Sequence, residues 1–173
     1  LKLISLVELM EKELPMMLAQ PIVRSLCLLL LATCSLTSLA SERGTSQQAK
    51  QMLENATMMI QERGAEDAFI TFNDPQGGFV QNDLYIFAIS MDGTYKASGA
   101  NPHLMGQSLA NVSDASGKPI GEEIIKLADR IGYGIIEYDW LNRKSNAIEH
   151  KFTRIKKVGD YIIGVGFYLP ETA

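Results

Sequence analysis

The chain has 173 residues with 16 basic and 20 acidic side chains, which give a formal net charge of −4. This length suits one domain with a full hydrophobic core. Mild acidity without a basic cluster argues against a nucleic-acid partner, which requires Lys and Arg concentrated on one face.

The first forty residues are organised as an export signal. Arg24 precedes an uncharged run over 25–41, which holds a compact apolar block and ends in Ser38-Leu39-Ala40, a small-x-small cleavage pattern. These features predict a secretory signal peptide over 1–40 and a periplasmic or secreted protein. A signal anchor is the less favoured alternative, because the uncharged run is shorter than the roughly 20 residues of a spanning helix.

The chain begins with Leu1 rather than Met. Met16 or Met17 would give a leader of normal length. We therefore expect translation to begin there, with residues 1–16 upstream of the true start.

Both cysteines, Cys27 and Cys34, lie within the leader. Cleavage after Ala40 would leave a single domain over 41–173 without disulfides, thiolate metal sites or thiol nucleophiles. Lipidation of Cys34 is less favoured than the soluble exported form, because Thr33 fits a lipoprotein cleavage box poorly.

Two helices are predicted at the start of this domain. Apolar residues recur at helical spacing over 41–63, and Gly64 ends the helix. A shorter helix is predicted over 65–72. The methionines of the first helix leave two interpretations open: packing on a sheet or on its twin in a dimer, or an adaptable binding surface.

The stretch from Asp83 to Pro102 is predicted to form the centre of the sheet. Both faces of its first strand are apolar, which is typical of an inner strand covered on both sides. One face carries Leu84, Ile86 and Ala88, and the other carries Tyr85, Phe87 and Ile89. Asp92-Gly93 is a strong hairpin signal, and a second strand is predicted from Thr94 to Ser98.

The remaining elements complete an α+β pattern. A polar loop over 101–117, with a helical turn near Ser108, leads to a helix that starts at Pro119, carries an apolar stripe through Ile131 and ends at Gly132. Three strands follow, over 133–140, 147–158 and 161–169. The prediction is a long N-terminal helix packed on a central antiparallel sheet of about five strands, with a helical insertion.

Eight short motifs occur in the order found in one known family. They are Asn73-Asp-Pro-Gln-Gly-Gly-Phe79, Asp83-Leu-Tyr-Ile-Phe87, Met91-Asp-Gly-Thr94, Gly99-Ala-Asn-Pro102, Gly117-Lys-Pro119, Tyr138-Asp-Trp140, Lys151 and Val158-Gly-Asp-Tyr-Ile-Ile-Gly-Val-Gly-Phe-Tyr168. Together they resemble the single Cache domain, type 2, an extracytoplasmic ligand-sensing fold related to PAS. The resemblance covers about residues 45–169.

The resemblance implies a non-catalytic sensor for a small organic acid of the acetate, propionate or pyruvate kind. Such domains usually belong to chemoreceptors or histidine kinases and also occur as free exported proteins. Since this chain ends at Ala173 without a second hydrophobic span, it resembles the free-standing form. A membrane receptor or kinase is the expected partner, and a homodimer through the N-terminal helix is a further expectation.

Lys151 aligns with the pocket lysine of the family. A carboxylate in a partly dry pocket needs a cation and neutral donors in place of its water shell. Strand spacing alone would instead make Lys151 a solvated lysine like Lys156. Tyr85 and Phe87 share a strand face and are both candidates for the pocket. The hydroxyl of Tyr85 could donate to the ligand or, alternatively, bond to backbone within the core.

Three more residues are candidates for the pocket, and Arg154 is considered beside them. Tyr138 and Trp140 share a strand face, so they could form one side of the cavity or belong to ordinary core. Ser98 stands where many family members carry His, which indicates a larger or differently polar ligand. Arg154 stands where the family often shows Tyr, and it could supply a second cation for a dicarboxylate or lie on the surface.

Other classes of function have little support in the sequence. The only histidines are His103 and His150, and neither Gly-x-Ser-x-Gly nor His-Glu-x-x-His occurs. No clustered metal ligands and no haem-attachment motif occur, so no metal or cofactor is predicted. The serious alternative is a protein-interaction or dimerisation module with a degenerate pocket and the methionine-bearing helix as its interface.

Overall fold

The computed structural model describes residues 43–169. The predictions for the signal peptide, the start residue and Cys34 fall on earlier residues and lie outside this range. Within the described residues, no helix is long and apolar enough to span a membrane.

Two helices precede the sheet, as the sequence predicts. Helix α1 spans Ser46–Arg63 and is followed by Gly64. The φ of Gly64 is 86°, a backbone conformation that is strained for residues with a side chain. It begins later than the predicted residue 41, because Thr45 and Gln48 form a capping box in which each side chain accepts a hydrogen bond from the backbone N–H of the other. Helix α2 spans Ala65–Asn73.

Residues 43–169 form one antiparallel sheet of six strands, with the order β1-β2-β6-β5-β4 and β3 also paired with β2. The strands are β1 Val80–Gln81, β2 Leu84–Ser90, β3 Tyr95–Ser98, β4 Tyr133–Asn142, β5 Ala147–Val158 and β6 Tyr161–Tyr168. The α+β class is therefore confirmed. The additional strand relative to the prediction is the two-residue β1.

The inner position predicted for β2 is also confirmed. Leu84, Ile86 and Ala88 lie in the core on the side of α1 and α2. Phe87 and Ile89 lie in a second core on the opposite face. The alternation of apolar residues along this strand thus supplies both layers of the domain.

Helix α1 packs on β2, β5 and β6 with one buried stripe. This stripe consists of Ala49, Met52, Leu53, Ala56, Thr57 and Ile60. Helix α3, Ile120–Arg130, covers the other face through Ile120, Ile124 and Ala128. Ile131, predicted within the α3 stripe, is 52% exposed because the helix ends at Arg130.

The prediction of a helical turn near Ser108 is wrong. The turn is a 3₁₀ helix at Pro102–Leu104, and the side chain of Asn101 accepts a hydrogen bond from the N–H of His103 at its start. Ser108 instead forms an isolated β-bridge with Thr94. The Asn-Pro pair provides the cap and the fixed φ that begin such a turn.

Candidate ligand-binding site

A small cavity lies on the α3 side of the sheet, between the inner strands and the loop that follows β3. It encloses about 60 Å³. All six candidate residues line it: Tyr85, Phe87, Ser98, Tyr138, Trp140 and Lys151. Because a water molecule occupies about 30 Å³ in the liquid, this volume accommodates about two waters or a correspondingly small solute.

Lys151 is the central polar group of this cavity. Only 1% of its surface is exposed, and its Nζ donates a hydrogen bond of 2.7 Å to the hydroxyl of Tyr85. The ammonium also lies 4.3 Å from the ring centroid of Tyr85 and 5.0 Å from that of Tyr168. These aromatic faces attract a cation.

The ammonium of Lys151 has hydrogen-bonding capacity to spare. It carries three donors, and the described part of the chain provides one acceptor, the Tyr85 hydroxyl. No described carboxylate forms an ion pair with it. A buried charge of this kind is costly unless a counter-ion or a polar molecule completes its environment. The buried position of the Lys151 ammonium therefore favours the binding of an anion in the cavity.

The strand β6 makes room for this lysine. Gly166 of β6 packs against the lysine stem, and a Cβ at that position would overlap Lys151 Cε and approach Thr153 Oγ1 to 3.0 Å. The Gly-Val-Gly segment of β6 therefore has a packing role beneath the site. The neighbouring strands also place Tyr138 and Tyr168 on either side of Lys151 in register.

Tyr95, Tyr138 and Tyr168 are neutral at physiological pH. Burial, followed by the neighbouring Tyr85, raises the pKa of Tyr95 to about 12. Burial also raises the pKa of Tyr138 well above its usual value of 10.0, although its hydroxyl shares a hydrogen bond of 2.7 Å with Thr153. Burial raises the pKa of Tyr168 in the same way.

The remaining predicted residues shape the cavity. The indole of Trp140 packs edge-on against Tyr138 at 5.8 Å, and Phe87 packs edge-on against Tyr95 at 6.4 Å. Ser98 is 2% exposed, and its hydroxyl accepts a hydrogen bond from the N–H of Asn101. Aromatic surfaces with a few polar groups are typical of small-ligand sites.

Arg154 does not line the cavity. Its guanidinium donates to Ser46 Oγ at 2.8 Å and lies 5.6 Å from the ring of Phe167, on the α1 side of the sheet. Residues 151 and 154 point to opposite faces of β5, because side chains alternate along a strand. Arg154 cannot be the second cation of this site.

A different arginine reaches the cavity, and the sequence reasoning missed it. Arg143, in the turn between β4 and β5, lines the cavity and donates a hydrogen bond of 2.8 Å from Nη1 to the carbonyl of Ala100. Tyr95, Asn101 and Leu104 were also missed. The signal for Leu104 and Asn101 was the Gly99-Ala-Asn-Pro102 motif of the family resemblance, which lies in the loop that carries them.

The two histidines lie outside the cavity wall. In the residues that the structure describes, no group of three or more His, Cys, Asp or Glu side chains could hold a metal ion. His150 lies on the exposed face of β5, where Nδ1 is 3.1 Å from Asp139 Oδ1 and Nε2 is 3.4 Å from Glu137 Oε2.

We expect His150 to titrate above its ordinary pKa of 6.5, because hydrogen bonds to Asp139 and then Glu137 favour the protonated ring. The associated stabilisation is present below the unfolded-state pKa and is lost as pH rises through the higher folded-state pKa. Nuclear magnetic resonance titration of the ring protons measures this value. Asp139→Asn should lower it, and a wild-type pKa below 6.5 would contradict the arrangement.

A helix-backed antiparallel sheet with a lysine-bearing cavity defines a ligand-binding domain of the sensor type. The chain belongs to the Single Cache domain 2 family, whose model matches residues 37–172. Domains of this family are extracytoplasmic ligand sensors.

Solved structures show the same fold. A methyl-accepting chemotaxis protein from Vibrio parahaemolyticus is similar with a TM-score of 0.59 and 18% identity, over 86% of this chain and 96% of that one. A Cache chemosensory domain studied for carboxylic acid recognition has a TM-score of 0.56 and 20% identity, over 72% of this chain and 88% of that one. A periplasmic sensor domain of a chemotaxis protein has a TM-score of 0.55 and 18% identity, over 72% of this chain and 90% of that one.

Proposed function

We propose that this chain is a non-catalytic, extracytoplasmic sensor domain that binds a small carboxylate on Lys151. The main support for this proposal is the buried ammonium of Lys151, which has one hydrogen bond within the described structure. It faces a cavity whose described lining contains no acidic side chain. A carboxylate would supply the missing charge and accept the remaining N–H donors. The hydroxyl of Tyr85, which accepts from Lys151, keeps its own proton to donate to the same ligand.

The size of the cavity supports a compact ligand. A volume of about 60 Å³ suits an acid of the acetate, propionate or pyruvate kind better than a long-chain acid. The aromatic side chains Phe87, Tyr138 and Trp140 would contact its short apolar part. Carboxylic acid recognition by a Cache chemosensory domain of the same fold gives this ligand class further support.

The expected setting is the periplasm or the exterior, with a membrane receptor or kinase that responds to the bound form. The alternative of an interaction module with a degenerate pocket has less support, because the buried stripe of α1 packs on the sheet. Met58 remains 48% exposed on that helix, and dimerisation through it stays a prediction.

A thermal-shift panel tests the proposal. The purified full-length chain is melted with acetate, propionate or pyruvate as sodium salts, and with sodium chloride and ethylammonium chloride as matched controls. A ligand at a hundredfold excess over its Kd should raise the free energy of unfolding by about 2.7 kcal/mol, which appears as an increase in Tm of several degrees. If no acid raises Tm more than sodium chloride does, the binding of a small monocarboxylate at this site is wrong.

A further inference from the structure

A second, larger cavity adjoins the lysine cavity. It encloses about 180 Å³ between the start of β2 and the turn that joins β4 to β5. The two cavities share three lining residues: Tyr85, Ala100 and Arg143. Arg143 therefore stands at the boundary between them, and it donates a hydrogen bond to the carbonyl of Ala100 at the same boundary.

The charge of the lysine cavity is unusual for a monocarboxylate site. Its described lining carries two cations, Lys151 and Arg143, and no Asp or Glu. Tyr95 and Tyr138 are protonated at neutral pH, since burial raises the pKa of each further above its ordinary value of 10.0, so neither contributes a compensating negative charge. A single carboxylate would neutralise one of the two positive charges.

Arg143 retains donors for a ligand. One of its five N–H groups is bound to Ala100, and no described carboxylate forms an ion pair with its guanidinium. The planar fork of an arginine matches the two oxygens of a carboxylate. Lys151 is buried at the base of the cavity, whereas Arg143 is exposed at its edge. The two cations are thus placed to hold opposite ends of one molecule.

We propose that the ligand is a short dicarboxylate and that Arg143 determines this specificity. One carboxylate binds Lys151 and Tyr85, and the other binds the guanidinium of Arg143. This inference rests on the carboxylate-binding function proposed above and narrows its ligand class. Because two acid groups and a linker occupy more space than acetate, the distal group extends toward the second cavity.

The second cavity also limits how far the ligand extends. Asp83 is 8% exposed, and its Oδ1 accepts a hydrogen bond of 2.6 Å from the N–H of Gly44. This buried carboxylate lines the far cavity and repels an anion that moves past Arg143, whereas the other charge beyond Arg143, on Lys144, is exposed and screened by solvent. The arrangement favours a dicarboxylate whose second group stops at Arg143, and it disfavours longer diacids.

Calorimetric titration of the full-length chain with a matched series tests the inference. The probes are succinate and glutarate, monomethyl succinate with one charge removed, adipate as a longer diacid, and propionate. We expect the better of succinate and glutarate to bind at least about tenfold more tightly than monomethyl succinate. Adipate should bind more weakly than the better of succinate and glutarate.

Variants then assign the effect to one residue. Arg143→Gln should remove the advantage of the diacid over monomethyl succinate, and it should weaken the binding of propionate less than that of the diacid. Lys144→Gln changes the adjacent turn lysine, which lines only the second cavity, and should preserve most of the advantage. An advantage that survives in Arg143→Gln overturns the role of this residue.

The wild-type measurements decide the ligand class even if a variant fails to fold. Equal affinity for succinate and monomethyl succinate overturns the dicarboxylate inference but leaves carboxylate binding by Lys151 intact. If neither the diacids nor propionate bind, the proposed function fails together with the inference.

Discussion

Lys151→Met is expected to abolish the stabilisation of the protein by carboxylates. Methionine keeps an unbranched apolar stem of similar length and removes the charge that the ligand requires. At a hundredfold excess of ligand over the wild-type Kd, the loss is about 2.7 kcal/mol of ligand-dependent stability. Thermal melting with and without the best acid of the panel measures it.

The unliganded variant should be as stable as the wild type or more stable. Lys151 is 1% exposed and lacks an ion-pair partner in the described structure, so its charge is desolvated without full compensation. Replacing such a charge with a well-packed apolar side chain is often neutral or stabilising. The half-buried hydroxyl of Tyr85 loses its donor, which opposes part of this gain.

Lys157→Met is the matched control for this prediction. Lys157 lies on the same strand, with the same side-chain alternation, but it is exposed and does not line the cavity. Its substitution should leave both the ligand response and Tm close to wild type. A carboxylate response that persists in Lys151→Met would show that the ligand binds elsewhere, even though the fold is unchanged.

The sequence could predict well which residues of the site share a strand face, because side chains alternate along a strand with a period of two residues. It placed Tyr85 with Phe87, and Tyr138 with Trp140, and all four line the same cavity. Strand spacing alone could not distinguish Lys151 from a solvated lysine such as Lys156, because each has one polar and one apolar neighbour along the strand. The distinction depends on α3, which covers the sheet face that carries Lys151. This packing joins distant parts of the chain, and only the family resemblance allowed Lys151 to be predicted as buried.

Loops explain what the sequence reasoning missed. Arg143 reaches the cavity because the β4–β5 turn folds back, with Asn142 Oδ1 accepting from the N–H of Lys144 and Asn146 at a φ of 54°. Turn composition predicts that a reversal occurs but not which side chain points inward. Tyr95 was missed for a related reason, because the register of β2 and β3 shifts between Ala88 and Ile89. Such irregularities redirect side chains that a simple alternation would place elsewhere.

Gly121→Ala is expected to be the most destabilising of the substitutions proposed for this protein. Gly121 lies in the first turn of α3, where its N–H donates to the carbonyl of Val112 at 3.2 Å. A Cβ at this position would overlap the backbone carbonyl of Leu109. A backbone group cannot rotate away as a side-chain end can, so α3 or the preceding loop must shift.

The size of the effect follows from two opposing contributions. Overpacking of this kind costs about 1–3 kcal/mol and occasionally more, whereas replacing Gly by Ala within a helix gains up to about 1 kcal/mol. Because the obstacle is backbone, we expect a net loss of about 2 kcal/mol in the free energy of unfolding, measured by urea denaturation. Asp129→Ala, on the exposed face of the same helix, should stay within about 0.5 kcal/mol of wild type.

The same substitution should weaken the ligand response. Ile120 and Ile124 of α3 line the lysine cavity, so a shift of the helix changes the shape of the cavity without touching Lys151. Gly121→Ala therefore couples a loss of stability to a loss of affinity, whereas Lys151→Met loses affinity alone. A Gly121→Ala protein with wild-type stability would show that α3 does not pack on the loop through Leu109, and the cavity would then lack the side that this helix is expected to provide.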